Sequence, residues 1–137
     1  MPAPITIQTT ISASAERVWD CYTQPEHITQ WNFASPEWCC PSATNDLRPG
    51  GKFSWRMEAR DGSMGFDYEG EYDAIEPGQR IASHLGDGRK VETTFRPSGD
   101  QIKVTTTFEI EDENTADMQR QGWQSILDNF KRHAESP

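Results

Sequence analysis

Hydrophobic and polar positions fall into two periods along this chain, and each switch between them marks a new element. Ile5, Ile7, Thr9 and Ile11 alternate with polar residues, which predicts a first strand with one buried face. Ser12 or Ser14 then caps a short helix whose Ala15, Val18, Trp19 and Tyr22 share one side. Pro25, favoured in a first helical turn, opens a second short helix carrying Ile28 and Trp31. Residues 32–41 show no period. A short strand is expected over Ala43–Leu47, followed by the turn Arg48-Pro49-Gly50-Gly51, where Pro presets φ and Gly supplies a positive one.

From there the text is strand after strand. Phe53, Trp55 and Met57 alternate with Lys52, Ser54, Arg56 and Glu58. Asp61-Gly62 turns the chain into Phe66, Tyr68, Gly70 and Tyr72, which alternate with Asp67, Glu69, Glu71 and Asp73. Pro77-Gly78 leads to Ile81–Leu85, Gly86-Asp87-Gly88 to Val91, Thr93 and Phe95, and residues 97–100 to Ile102, Val104, Thr106, Phe108 and Ile110. One polar face per strand predicts an antiparallel sheet covered on one side only.

The cover is the segment Asn114–Ser136. Asn114 or Thr115 can cap it, and Trp123, Ile126, Leu127, Phe130 and Ala134 lie on one helical face. Such a helix is roughly 30 Å long, enough to cross a small domain. Gly122 interrupts it, and a missing side chain there is expected to let the sheet or a ligand approach closely. The fold class is therefore α+β: a curved antiparallel sheet of about seven strands wrapped on a long C-terminal helix, with two short helices after the first strand.

A length of 137 residues predicts one domain over 1–137. Only 34% of residues are hydrophobic, so the six Phe, five Trp and three Tyr must supply much of the buried area. Thirteen basic against 22 acidic side chains leave a net charge of −9, which argues against nucleic acid and anionic membranes as partners. No apolar run is long enough to insert into a membrane, and the first ten residues lack the pattern of a signal peptide. Cys21, Cys39 and Cys40 are an odd count without a framework spacing, as expected of reduced thiols in a cytoplasmic protein. The oligomeric state, monomer or homodimer, stays open.

Several stretches resemble one family along almost the whole chain. Ser14-Ala15-Glu16-Arg17-Val18-Trp19 and Pro25-Glu26-His27 through Trp31 are similar to its opening helices. Residues 46–53, Gly70-Glu71-Tyr72 and Asp87-Gly88-Arg89 are similar to its strands and turns, and Gln121-Gly122-Trp123 with residues 126–130 to its closing helix. The family is the START-like, Bet v 1-like superfamily (SRPBCC), in the branch of activator of Hsp90 ATPase homologue 1-like proteins. The resemblance implies a helix-grip fold with a hydrophobic pocket between sheet and helix. Members of the superfamily include lipid and polyketide-like ligand binders, aromatase/cyclases, oxygenase domains and chaperone partners. The eukaryotic co-chaperone carries a further N-terminal domain to which nothing in this sequence corresponds.

Fold and aromatic excess together point to binding of a small hydrophobic or aromatic, lipid- or polyketide-like ligand. The expected lining is Trp31, Phe33, Trp38, Trp55, Met57, Phe66, Tyr68, Tyr72, Phe95, Met118, Gly122, Trp123 and Ile126, with Met64 as a further adaptable side chain. Each of these aromatics can equally be core filler. Two other classes stay open: a cyclase or hydrolase using an inward ionisable pair such as Glu69 with Arg56 or His84 near Tyr72, and a chaperone-associated interaction module with an apolar patch around Phe33–Cys40. Strand alternation puts His84 and the ladder Asp67, Glu69, Glu71 and Asp73 on the wet face, while His27 and His133 fall on polar helical positions and read as solvated. No HExxH, CxxC, Gly-x-Ser-x-Gly or phosphate-loop pattern occurs, and no metal or cofactor is expected.

Overall fold

The computed structural model describes residues 4–136. Strand β1 (Ile5–Ile11) is followed by helices α1 (Ala15–Thr23) and α2 (Pro25–Trp31), strands β2 (Trp38–Asn45), β3 (Lys52–Ala59), β4 (Gly65–Glu76), β5 (Arg80–Leu85), β6 (Lys90–Ser98) and β7 (Gln101–Phe108), and helix α3 (Ala116–Glu135). The seven strands form one antiparallel sheet in the order β1-β7-β6-β5-β4-β3-β2. This is the expected helix-grip arrangement, with the sheet curled around α3.

Alternation decides which face meets the helix. Phe53, Trp55 and Met57 on β3, Ile81 and Leu85 on β5, Val91 and Phe95 on β6, and Ile102, Val104 and Phe108 on β7 are buried, while their neighbours are half-buried or exposed. Phe130 and Leu127 of α3 fill the middle of the concave face, and Phe130 is fully buried edge-on to Tyr22 and Trp31. The curl has a local cause in β4. Its register slips between Tyr72 and Ala74, and the extra residue bends a strand that pairs with β3 on one side and β5 on the other.

Caps fix the helix ends. Ser14 accepts from Arg17 N at the start of α1, and Thr115 accepts from Met118 N at the start of α3. The far end of α3 is held by Arg17, whose guanidinium donates to the carbonyls of His133, Ala134 and Ser136 at 3.1–3.2 Å. A cation there completes unpaired carbonyls and opposes the negative end of the helix dipole.

Two expectations are corrected. Strand β2 begins at Trp38, within the stretch expected to be irregular, and Pro41 is accommodated where the register slips between Cys39 and Ser42 on this edge strand. Gly122 is not a point of close approach, because a Cβ built there meets nothing within 4 Å. Close packing instead requires glycine at Gly51, where a Cβ would lie 2.0 Å from the Asp46 carbonyl oxygen, and at Gly70 on β4. A Cβ at Gly70 would lie 2.3 Å from the His84 carbonyl oxygen and 2.8 Å from the Phe53 ring.

Candidate functional site

A cavity of about 210 Å³ lies between the concave face and α3. Phe53, Trp55 and Met57 of β3, Phe66, Tyr68 and Tyr72 of β4, and Trp123, Ile126 and Leu127 of α3 form most of its wall. Tyr22, Trp31 and Asn32 enclose one end, and Ile7, Ile81, Ser83, Val91, Thr93 and Thr106 complete it from the remaining inner strands. An apolar void of ~150 Å³ can already admit benzene.

The space persists because the aromatic wall is stiff. Phe53 packs against Tyr72 at 5.0 Å between ring centroids and against Trp55 at 5.4 Å, and Trp55 lies 5.6 Å from Tyr68. Trp123 is held flat on Phe108, 4.1 Å away with an 8° tilt, and edge-on to Tyr68. Rings braced in this way cannot swing inward to fill the gap. Phe66, 50% exposed, marks the mouth, with Trp38 6.0 Å from it on the outside.

The polar groups in the wall are few and uncharged. Tyr22 Oη, Thr93 Oγ1 and Thr106 Oγ1 form a buried chain with steps of 3.1 and 2.9 Å. Ser83 stands nearby on the inner face of β5. Asn32 points its amide at the sulfur of Met57, 3.1 Å away, and Tyr72 donates to Asn45 at the cavity edge. Among the described residues, Trp55 Nε1 is the buried side-chain nitrogen or oxygen without a hydrogen-bond partner. No Asp, Glu, His, Lys, Arg or Cys is in the lining. Burial pushes the Tyr22, Tyr68 and Tyr72 phenols above their ordinary range, so all three are neutral hydroxyls at physiological pH.

Residues 12–135 match the family described as "Activator of Hsp90 ATPase homolog 1-like protein". The chain belongs to this family. Within it, the chain is 38% identical to the AHSA1-like protein of Aeromonas hydrophila, with 96% of this chain and 92% of that one covered and a TM-score of 0.87. It is 43% identical to a Cytophaga hutchinsonii protein over the same shares, with a TM-score of 0.84. A Colwellia psychrerythraea protein, described as an Aha1 dimer, shares the fold at a TM-score of 0.77 and 15% identity, with 98% of this chain and 97% of that one covered. No protein of curated function matches the chain. Membership in this branch of the Bet v 1-like superfamily supports a ligand-binding type of domain in general and assigns no ligand.

Of the residues expected to line a pocket, Trp31, Trp55, Met57, Phe66, Tyr68, Tyr72, Trp123 and Ile126 lie on the cavity wall. The rest lie elsewhere. Phe95 is buried under Trp19 and Tyr22, edge-on to both. Phe33 sits on the outside under the Arg60 guanidinium, and Trp38 flanks the mouth. Met118 and Met64 are 60% and 65% exposed, and Gly122 faces open space. Thr93, Thr106, Ser83 and Tyr22 were not singled out. Their signal was present: three of them are hydroxyl residues at inward register positions, where alternation calls for an apolar side chain.

The outer face matches its reading. Asp67, Glu69 and Asp73 are exposed, Arg56 pairs with Glu58 at 2.8 Å and Asp67 at 3.4 Å, and His84 Nδ1 contacts Asp73 at 2.8 Å. Glu69 pairs in register with Ser54, not Arg56, and His84 lies on the opposite face from Tyr72. His27 and His133 need correction. Both are half-buried, and they face each other across the α2–α3 contact, because α3 ends against the start of α2.

Proposed function

We propose that the cavity binds a small, flat, mainly apolar molecule that carries a hydrogen-bond acceptor. The observation that carries this reading is an aromatic cavity whose lining residue Trp55 carries a buried indole N–H without a partner. An unpaired buried donor is worth ~1–3 kcal/mol once satisfied, and a carbonyl or ether oxygen on the ligand supplies the missing acceptor. The neutral Tyr22–Thr93–Thr106 chain offers a second polar contact, while the absence of charge in the lining disfavours ligands that must be held as ions.

A cyclase or hydrolase reading needs an ionisable acid–base pair within reach of the ligand, and the lining supplies tyrosines alone. Holding and shielding such a molecule needs no more than the wall provides. No described helix is long and apolar enough to cross a membrane. We assign the protein to the cytoplasm on its three cysteines without a framework spacing.

The test is a titration of the pure protein with flat aromatics paired by chemistry, each ketone beside its parent hydrocarbon, read by amide shifts and by fluorescence of Trp31, Trp55 and Trp123. Saturable shifts on β3, β4 and the middle of α3 are expected, with the ketone bound more tightly. Trp55→Phe should remove that preference, roughly 5–150-fold in Kd, and leave hydrocarbon binding intact. A well-folded sample that binds none of the set, or a preference that survives Trp55→Phe, overturns the reading.

A further inference from the structure

At the other side of the helical layer, three metal-ligating side chains from three helices converge. Cys21 comes from the last turns of α1, His27 from the first turn of α2, and His133 from the last turn of α3. Cys21 Sγ is 3.9 Å from His27 Nδ1, His27 Nδ1 is 2.9 Å from His133 Nε2, and all three donor atoms lie within 4.8 Å of one another. Among the described residues, this is the one group of three or more Cys, His, Asp or Glu side chains gathered so tightly.

We infer that Cys21, His27 and His133 form a binding site for a zinc-class divalent cation, with a fourth position open to water.

The separations fit that ion. Around a tetrahedral zinc with Zn–S near 2.3 Å and Zn–N near 2.0–2.1 Å, sulfur and nitrogen stand about 3.6 Å apart and two nitrogens about 3.3 Å apart. Two edges of the triangle already lie within a few tenths of an ångström of those values, and side-chain rotation closes the third. One thiolate and two imidazoles select a borderline-soft metal over magnesium or calcium, which take oxygen. The ligands also sit on braced backbone. Trp31 Nε1 donates to the Cys21 carbonyl at 2.8 Å, and Arg17 holds the His133 carbonyl.

Charge and access agree. The charged side chains beside Cys21 are Arg17 and Asp20, opposite in sign, and Arg17 also lies beside His133. The thiolate therefore supplies the negative charge that the cation meets, within a chain of net charge −9. Cys21 is fully buried, but the two imidazoles are half-buried and so reach solvent. On coordination the thiol proton passes to solvent as the sulfur–metal bond forms, so affinity must rise with pH. No electron transfer is involved. Bound metal would tie α1, α2 and α3 together at the helical side of the cavity.

The experiment is a titration of the metal-stripped full chain with Co²⁺ as a spectroscopic stand-in, followed by displacement with Zn²⁺. One equivalent should produce thiolate-to-cobalt charge-transfer absorption and the intense visible bands of a four-coordinate site, and Zn²⁺ should remove both. His133→Gln and Cys21→Ser should each weaken binding by more than the ~10–100-fold that loss of an outer-shell partner costs. Cys21 lies in the core, so the serine variant is checked by circular dichroism; the half-buried His133→Gln carries the test if Cys21→Ser does not fold. Zn²⁺ should also raise the Tm of the parent protein and leave that of His133→Gln unchanged. Absence of a charge-transfer band, binding that survives both substitutions, or binding abolished by Cys39→Ser or Cys40→Ser instead would overturn the assignment.

Discussion

Thr93 is the joint of the polar chain in the cavity wall, and its replacement separates structural need from functional need. It is buried, and its hydroxyl touches both Tyr22 Oη at 3.1 Å and Thr106 Oγ1 at 2.9 Å. Thr93→Val keeps the shape and removes both contacts. Two buried hydroxyls then lose a partner, and each orphaned group costs ~1–3 kcal/mol unless water reaches it. The cavity has room for a water, which sets the low end, so a net loss of ~2 kcal/mol is expected. For a domain of this length that corresponds to a fall in Tm of about 6–10 °C. The triple variant Tyr22→Phe, Thr93→Val, Thr106→Val removes every member of the chain and leaves nothing orphaned. Its stability should return to within ~1 kcal/mol of the parent, although it carries more substitutions. Urea unfolding of the single and triple variants measures both numbers. A triple variant less stable than Thr93→Val would refute the reasoning, since the chain would then stabilise the fold by its own bonds. A stable triple variant with weakened ketone binding would mean that the hydroxyls are kept for the ligand.

Four further outcomes are expected. Gly122→Ala should raise stability by up to ~1 kcal/mol through helix propensity. Gly70→Ala should lower it by ~1–3 kcal/mol, because backbone of β5 stands in the way; the reverse order in urea unfolding would contradict the packing described for both glycines. Arg17→Ala should cost ~1–3 kcal/mol, since the last carbonyls of α3 lose their charged donor, and faster amide exchange over residues 130–135 would localise the effect. Burial, then the neighbouring His27 and Arg17, hold the His133 imidazole below the usual histidine range. The folded state therefore binds fewer protons than the unfolded chain, and stability should fall as pH drops below about 6.5, with chelator present to exclude metal. His133→Gln should flatten that slope, and an unchanged slope would count against the burial of the ring.

Much of this protein is legible from residue order because its elements answer to local rules. Period-two alternation placed β3 to β7 and chose their inner faces, and period 3.6 placed α3 with Leu127 and Phe130 inward. Those signals depend only on the pleat and the helical pitch, which every residue carries with it. Turn residues set the hairpins for the same reason, as at Gly50, where φ is +82°. Alternation even marked the cavity's hydroxyls, which stand where an apolar side chain was due.

What only tertiary structure decided was who meets whom across elements far apart in the chain. Phe95 and Trp55 both read as inward aromatics, yet Phe95 is roofed by Trp19 and Tyr22 while Trp55 borders empty space. That difference arises from where α1 and α2 cross the sheet, which no local period encodes. Trp38 and Pro41 joined a strand because β3 offered an edge, against their own lack of pattern. His27 and His133, solvated by helical position alone, face each other because α3 runs far enough to end against α2, and Cys21 completes the group from a third helix. A side chain's face follows from its neighbours in sequence, but its partners follow from long-range packing, and both the cavity and the Cys–His–His cluster are made of partners.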